Sequence, residues 1–180
     1  IDFIFIKKPN NHQLFIHIKK MEEKNDIIDI NENIINIKED IYNNPQLHQY
    51  NLSIAPMLEI TTKHYMHFMR LLTKQTLIYS EMINTNEIIN KENSLEFSHE
   101  LEPICIQFGG SDPNSFSLAA KKAKDKGFKE LNINCGCPSK KVSAGNFGAV
   151  LMKDPNLVGN CVKKISEHII SSIKCILGLD

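Results

Sequence analysis

The sequence predicts an α/β protein built as part of a (β/α)8 TIM barrel. Short apolar runs of strand length recur from residue 51 onward, and helical patterns lie between most of them. The runs are continuous rather than alternating, which is typical of parallel strands buried on both faces. Polar and small residues gather where four successive runs end, as on the active face of a barrel enzyme. No Gly-x-Gly-x-x-Gly follows the first run, which disfavours a dinucleotide-binding doubly wound sheet.

Five runs are predicted to be strands: residues 52–57, 76–82, 103–110, 130–136 and 171–177. Helices are predicted over residues 61–74, 111–127 and 154–168. The second and third helices each open with an aspartate followed by proline, and the second ends at Gly127, which are standard start and stop signals. A complete barrel takes about 250 residues. We therefore expect only the first five β/α units, as a fragment with an open sheet edge.

Composition limits the function classes. The chain has 180 residues, 42% of them hydrophobic, with zero formal net charge, five cysteines and no tryptophan. Zero net charge provides no overall attraction to nucleic acid, so any RNA contact must be local. No apolar run reaches the ~18 residues of a membrane span. Few cysteines and no signal peptide predict a reducing compartment, the cytoplasm, with an organelle as the alternative.

Residues 1–46 differ from the rest of the chain. They are rich in Asn, Ile and Lys and contain no glycine. We interpret residues 1–46 as a low-complexity, weakly ordered N-terminal extension, with a short external helix as the alternative. Residues 47–180 are then the partial barrel, without the remaining strands and without a following helical domain.

The stretch NINCGCPSKK, residues 132–141, contains the most specific chemistry. One Cys-x-Cys without a second pair is a poor zinc site, and a disulfide between Cys135 and Cys137 would be strained. Strand alternation places Cys135 among packed side chains, while Cys137 lies past the strand, next to Pro138. An ordinary thiol has a pKa of ~8.5 and is mostly protonated at neutral pH. Such a thiol suits a proton donor better than a nucleophile.

Four segments in register resemble the tRNA-dihydrouridine synthases, and most closely the A-type branch that acts on D-loop uridines 20 and 20a. They are LSIAPMLEITTKHYMHFMRLL, TLIYSEM, PICIQFGGSDP and ELNINCGCPSKKVSAGNFGAVLM. The resemblance covers residues 52 to 158 strongly and continues weakly to 180. It implies an FMN-binding barrel, a helical tRNA-binding domain and NADPH as reductant. Hydride would pass from the reduced flavin to C6 of a uridine, and a cysteine would protonate C5.

The resemblance also assigns roles to residues. It makes Cys137 the proton donor and Asn134 the contact to the target base. Its cofactor-binding residues correspond to Pro56, Met57, Leu58, Gln107 and Lys174. Lys141 is predicted to hold a tRNA phosphate, with a solvated loop end as the alternative. A role in the site is weighed equally against packing for Ala55 and against a strand-end ion pair for Glu81.

One position departs from the family pattern, because Ile176 stands where the family has arginine. Two other functions stay open, and Ile176 and the short length support the first of them. One is a truncated, non-catalytic RNA-associated remnant. The other is a flavin barrel that reduces a free pyrimidine, like the dihydroorotate and dihydropyrimidine dehydrogenases. We predict tRNA as partner and neither a metal nor a membrane; the oligomeric state is left open.

Overall fold

The computed structural model of the chain describes residues 3–7, 13–18, 52–91, 95–96 and 98–176. These residues form one seven-stranded sheet with helices packed against it. The strands are β1 (Phe3–Lys7), β2 (Gln13–Ile18), β3 (Ser53–Ile54), β4 (Leu77–Asn84), β5 (Ile104–Gly109), β6 (Glu130–Cys135) and β7 (Ile170–Ile176). The helices are α1 (Lys63–Leu72), α2 (Thr85–Asn90), α3 (Pro113–Lys126), α4 (Lys140–Ala144) and α5 (Pro155–Ser166), with 3₁₀ turns at His99–Leu101 and Gly148–Lys153.

The strand order distinguishes a barrel from a doubly wound sheet. Strands β3 to β7 are parallel, and each pairs with the next one along the chain. A doubly wound sheet instead reverses its strand order at a switch point. Strands β3 to β7 are therefore part of a (β/α)8 barrel, which confirms the predicted fold class.

The two faces of the sheet carry different side chains. One face packs against the helices and forms the main apolar core, which includes Ile106, Phe108, Leu131 and Ile133. Phe116 of α3 is fully buried in the same core. On the other face lie polar side chains together with the small buried cluster Leu77, Tyr79 and Cys105. Alternation along each strand produces this division, because successive side chains point to opposite faces.

The predicted starts of α3 and α5 and the end of α3 at Gly127 are confirmed, whereas α5 ends at Ser166 and not at residue 168. The Asp112 carboxylate accepts hydrogen bonds from the backbone N–H and the hydroxyl of Ser115, both at 2.7 Å. Asp154 accepts the N–H of Leu157 at 3.0 Å in the same way. Gly127 ends α3 with φ of 108°, a left-handed conformation that glycine adopts without strain. These caps satisfy backbone groups that the helix ends leave unpaired.

Replacing Asp112 by alanine is expected to lower the free energy of unfolding by about 1 kcal/mol, because the first turn of α3 loses its cap. The hydrogen bonds from Ser115 lower the pKa of Asp112 below its ordinary value. Its stabilising contribution is therefore full above the pKa of the unfolded chain, and it is lost as pH falls through the lower folded pKa. Urea unfolding at pH 7 and at about pH 3 measures this. A gap between wild type and variant that does not shrink at the lower pH would contradict it.

Arg70, near the end of α1, is a buried charge of the described core. It is 5% exposed, and its guanidinium donates five hydrogen bonds, all to backbone carbonyl oxygens. Two go to Leu101, and the others go to Thr73, Thr76 and Pro103, at distances between 2.8 and 3.2 Å. The side chain thus joins the loop before β4 to the loop before β5. The planar guanidinium of arginine can donate to several carbonyl groups at once, which the single ammonium group of lysine does less well.

Two strands lie within the extension, and the sequence analysis did not predict them. Strand β2 pairs antiparallel with β7, with residues 13–18 opposite residues 171–176, and β1 pairs with β2. The edge of β7, which we expected to be open, is therefore paired. The alternative helix around residues 27–37 and the boundary at residue 46 lie outside the described residues. No helix in the described part of the chain is long and apolar enough to cross a membrane.

Candidate active site

The carboxyl ends of the parallel strands lie at one end of the sheet, here called the strand-end edge. Most of the predicted site residues lie there. Gln107 lies on β5, Asn134 on β6 and Lys174 on β7, and all three point to the polar face of the sheet. The strand register places Asn134 beside Lys174 and Gln107 beside Asn132. The turn at 56–58 follows β3, and Cys137 follows β6. The fold therefore gathers residues that are more than a hundred positions apart in the chain.

Asn134 organises the turn that carries Cys137. Its side-chain oxygen accepts the backbone N–H groups of Gly136 and Cys137, both at 3.0 Å. Its amide nitrogen donates to the Gln107 oxygen at 3.2 Å and contacts the Met82 sulfur at the same distance. Asparagine often stabilises turns through such hydrogen bonds to residues that follow it. Asn134 therefore links the polar face of the sheet to the position of the thiol.

Cys137 is held by its backbone while its thiol is partly exposed. Its carbonyl oxygen accepts the N–H of Ala149 at 2.9 Å. Gly148, with φ of 75°, allows this approach, because a Cβ there would lie 2.6 Å from the same oxygen. The thiol lies 3.5 Å from the hydroxyl of Ser139, which also caps α4 by accepting the N–H of Val142. The backbone of Cys137 is therefore fixed, while its thiol stays accessible at the strand-end edge.

The other four cysteines are buried. Cys135, Cys161 and Cys175 belong to the main core, and Cys105 lies on the opposite face of the sheet. All five thiols are free, and burial raises the pKa of Cys161 to about 12 and that of Cys135 further still. Cys135 thus packs in the core as predicted. In the described part of the chain, no three His, Cys, Asp or Glu side chains are arranged to hold a metal ion.

Lys174 is a half-buried cation at the same edge. Burial lowers its pKa, while the neighbouring thiols of Cys175 and Cys137, when ionised, act in the opposite direction. A cation that has lost part of its hydration interacts strongly with a nearby anion. The side chain is therefore suited to an anionic partner at this edge.

The turn after β3 is tied to β4. The carbonyl oxygen of Met57 accepts the N–H groups of Ile60 and Thr61. The Thr61 hydroxyl also donates to this oxygen, and it accepts the N–H of Met57. Glu59 has φ of 62°, and its N–H donates to the Glu81 carboxylate at 2.8 Å. Glu81 therefore accepts a turn N–H, where the sequence analysis had weighed an ion pair. Of the three turn residues predicted to lie under a flavin, Pro56 and Met57 are half-buried and Leu58 is exposed.

Two lysines follow the Cys-Pro-Ser segment at the start of α4. Lys140 and Lys141 are both exposed, and α4 is a single short helix capped by Ser139. Phe147 and Met152 pack against the core. Nothing in this geometry separates a phosphate contact at Lys141 from a solvated loop end, so its role stays a prediction.

Sequence reasoning missed the polar side chains deeper in the sheet. Gln107 donates to Asn132 at 2.6 Å, Asn132 donates to Ser172 at 2.9 Å, and the Ser172 hydroxyl donates to Glu130 at 3.1 Å. Gln107, Asn132 and Ser172 are each at most 1% exposed. The signal was present, because residues 130, 132 and 134 are polar at every second position of an apolar run.

Comparison with known proteins identifies the family. The family model described as dihydrouridine synthase matches residues 53–174. The chain belongs to the dihydrouridine synthase family. It is 44% identical over 136 residues to a tRNA-dihydrouridine(20/20a) synthase of Vibrio vulnificus and 45% identical over 134 residues to one of Salmonella typhi. A protein of the same name in Synechocystis is 41% identical over 133 residues.

These dihydrouridine synthase relatives are longer than the chain. The alignments cover 72% to 74% of this chain but only 40% to 42% of each relative. The chain thus spans about two fifths of the length of the curated relatives it matches. The family match confirms the resemblance found in the sequence, and it includes every predicted site residue from Pro56 to Lys174.

Proposed function

We propose that the chain contains the reactive centre of a tRNA-dihydrouridine synthase that reduces a D-loop uridine. The observation that carries this proposal is the joint placement of Cys137, Asn134, Gln107 and Lys174 at one strand-end edge. The names of the relatives support positions 20 and 20a of tRNA as the target.

The residues present fit the ring of FMN. Lys174 is a half-buried cation, and a cation beside the flavin ring stabilises the negative charge of its reduced form. Gln107 is buried, and its amide bonds Asn132 and Asn134, so it would support the ring from beneath; the turn at 56–58 forms a further wall of the edge. When bound, FMN would supply the hydride that adds to C6, with NADPH as the source of electrons. These residues would hold and orient the ring.

The remaining step belongs to the side chains of this chain. As the C5–C6 double bond of the uracil ring is lost, the S–H bond of Cys137 breaks and its proton forms the new C5–H bond, leaving a thiolate. Lys174 lies close enough to Cys137 for an ionised thiol there to raise its pKa. In the proposed step, the ammonium group would lie near the thiolate until a proton from solvent restores the thiol. Asn134, held by Gln107, orients the base, and Lys141 is the proposed phosphate contact.

The proposed function is tested in tRNA. Nucleosides of total and D-loop tRNA fragments are separated by liquid chromatography and identified by mass, from cells with the gene, without it and with it restored. We expect dihydrouridine at positions 20 and 20a to disappear on deletion and to return on restoration. Unchanged dihydrouridine would favour the non-catalytic remnant. Reduction of free orotate or uracil by the purified protein would favour the free-pyrimidine reductases.

A further inference from the structure

The hydrogen bonds on the polar face of the sheet form one continuous line, here called the polar ladder. It consists of Glu130, Ser172, Asn132, Gln107 and Asn134. Its last member accepts the backbone N–H groups of Gly136 and Cys137. The ladder thus runs from the start of β6, across β7 and β5, to the turn that carries the thiol.

The ladder has a direction. Every donor points toward Glu130: Asn134 donates to Gln107, Gln107 to Asn132, Asn132 to Ser172, and Ser172 to the carboxylate. Asparagine and glutamine amides can be turned by 180° and still bond, so the amides alone do not choose this direction. Ser172 can also donate or accept. The direction is therefore fixed at the two ends of the ladder, and at one end the backbone N–H groups of Gly136 and Cys137 can only donate.

Glu130 is the other end of the ladder, and its carboxylate accepts the hydroxyl of Ser172. Because it accepts, Ser172 must donate to it and can accept from Asn132. Asn132 then presents its oxygen to Gln107, whose own oxygen faces Asn134. Asn134 is left with its oxygen toward the turn, where two N–H donors meet it.

We propose that Glu130 is a positioning residue that acts through Ser172 and Asn132 and, together with the N–H groups of Gly136 and Cys137 at the other end, sets which way the amides of Gln107 and Asn134 face. In the reversed arrangement, the Asn134 NH₂ group would oppose the N–H groups of Gly136 and Cys137, and the turn would lose both bonds. Burial makes this costly, since a polar group buried without a partner keeps its full desolvation penalty. The role in catalysis rests on the proposed function, whereas the direction of the ladder does not.

The test compares Glu130→Gln with wild type in the complete gene product. A glutamine has nearly the same shape, but its amide can donate as well as accept, so the reversed ladder becomes available. We expect hydrogen exchange of the Gly136 and Cys137 amides, followed by NMR, to speed up by roughly tenfold, the size of effect common within one hydrogen-bond network. Dihydrouridine formation should fall by about the same factor, through kcat rather than KM.

Two further variants keep the test decisive. Glu102→Gln makes the same chemical change before β5, where the carboxylate pairs with Lys129 outside the ladder, and it should leave exchange at 136 and 137 unchanged. Ser172→Ala cuts the ladder, so it should have the effect of Glu130→Gln, and the double variant should be no worse than either single one. Unchanged exchange in Glu130→Gln, or additive effects in the double variant, would overturn the proposal. If exchange is faster in Glu130→Gln but the wild-type protein itself forms no dihydrouridine, the ladder is supported and the proposed function is rejected.

Discussion

Replacing Cys137 by alanine is expected to lower dihydrouridine formation by about 10²- to 10⁴-fold, the usual contribution of a positioned general acid. The flavin should stay bound, because alanine keeps the backbone that Asn134 and Ala149 hold. Single-turnover assays of the complete gene product, with the flavin reduced beforehand, isolate this step. Product is measured as dihydrouridine in digested tRNA, and bound flavin by its absorbance.

Cys135→Ala is the matched control, because the same thiol is removed two residues earlier. Cys135 is 2% exposed and packs in the core, so its loss should lower the unfolding midpoint but not the rate per folded molecule. A full rate in Cys137→Ala, or a larger loss of rate in Cys135→Ala, would show that the proton donor is assigned wrongly.

Replacing Arg70 by methionine is expected to lower the free energy of unfolding by about 3 to 5 kcal/mol. Methionine fills much of the space but provides no donor, so the carbonyl groups of Leu101, Thr76 and Pro103 lose their bonds to Arg70. Because these groups lie in the loops before β4 and β5, the starts of both strands are destabilised. Urea denaturation followed by circular dichroism measures the change.

Lys74→Met is the control for Arg70, since it also removes a cation from this region but at an exposed position. Its effect should stay within about 0.5 kcal/mol. Arg70→Lys should remain strongly destabilised, because one ammonium cannot reach carbonyls in both loops. If Arg70→Met matched Lys74→Met, the hydrogen bonds of Arg70 would not contribute to stability in the way we infer.

The five barrel strands and the three longer helices could be predicted from local patterns. Parallel strands buried on both faces read as continuous apolar runs, and Asp-Pro marks the starts of α3 and α5. Helices α2 and α4, of six and five residues, are too short to show a helical period. The strands in residues 3–18 were missed because a strong compositional bias hides local patterns.

The candidate site was predicted only as far as its motifs reach. Cys137 and Asn134 lie in one short segment, so their neighbourhood was readable from the sequence. The polar ladder was not, because it joins residues such as Asn132 and Ser172 that are forty positions apart. Only the pairing register of β6 with β7 brings them together, and that register has no local signature.

Because β2 pairs with β7, no other strand can pair with that side of β7 at the same time. A strand has a single row of N–H and C=O groups on each side, and β7 already uses one side for β6. A sixth barrel strand would need the other side, in parallel orientation, where β2 now lies. Strand β2 and a sixth barrel strand would therefore compete for the same hydrogen-bonding groups of β7.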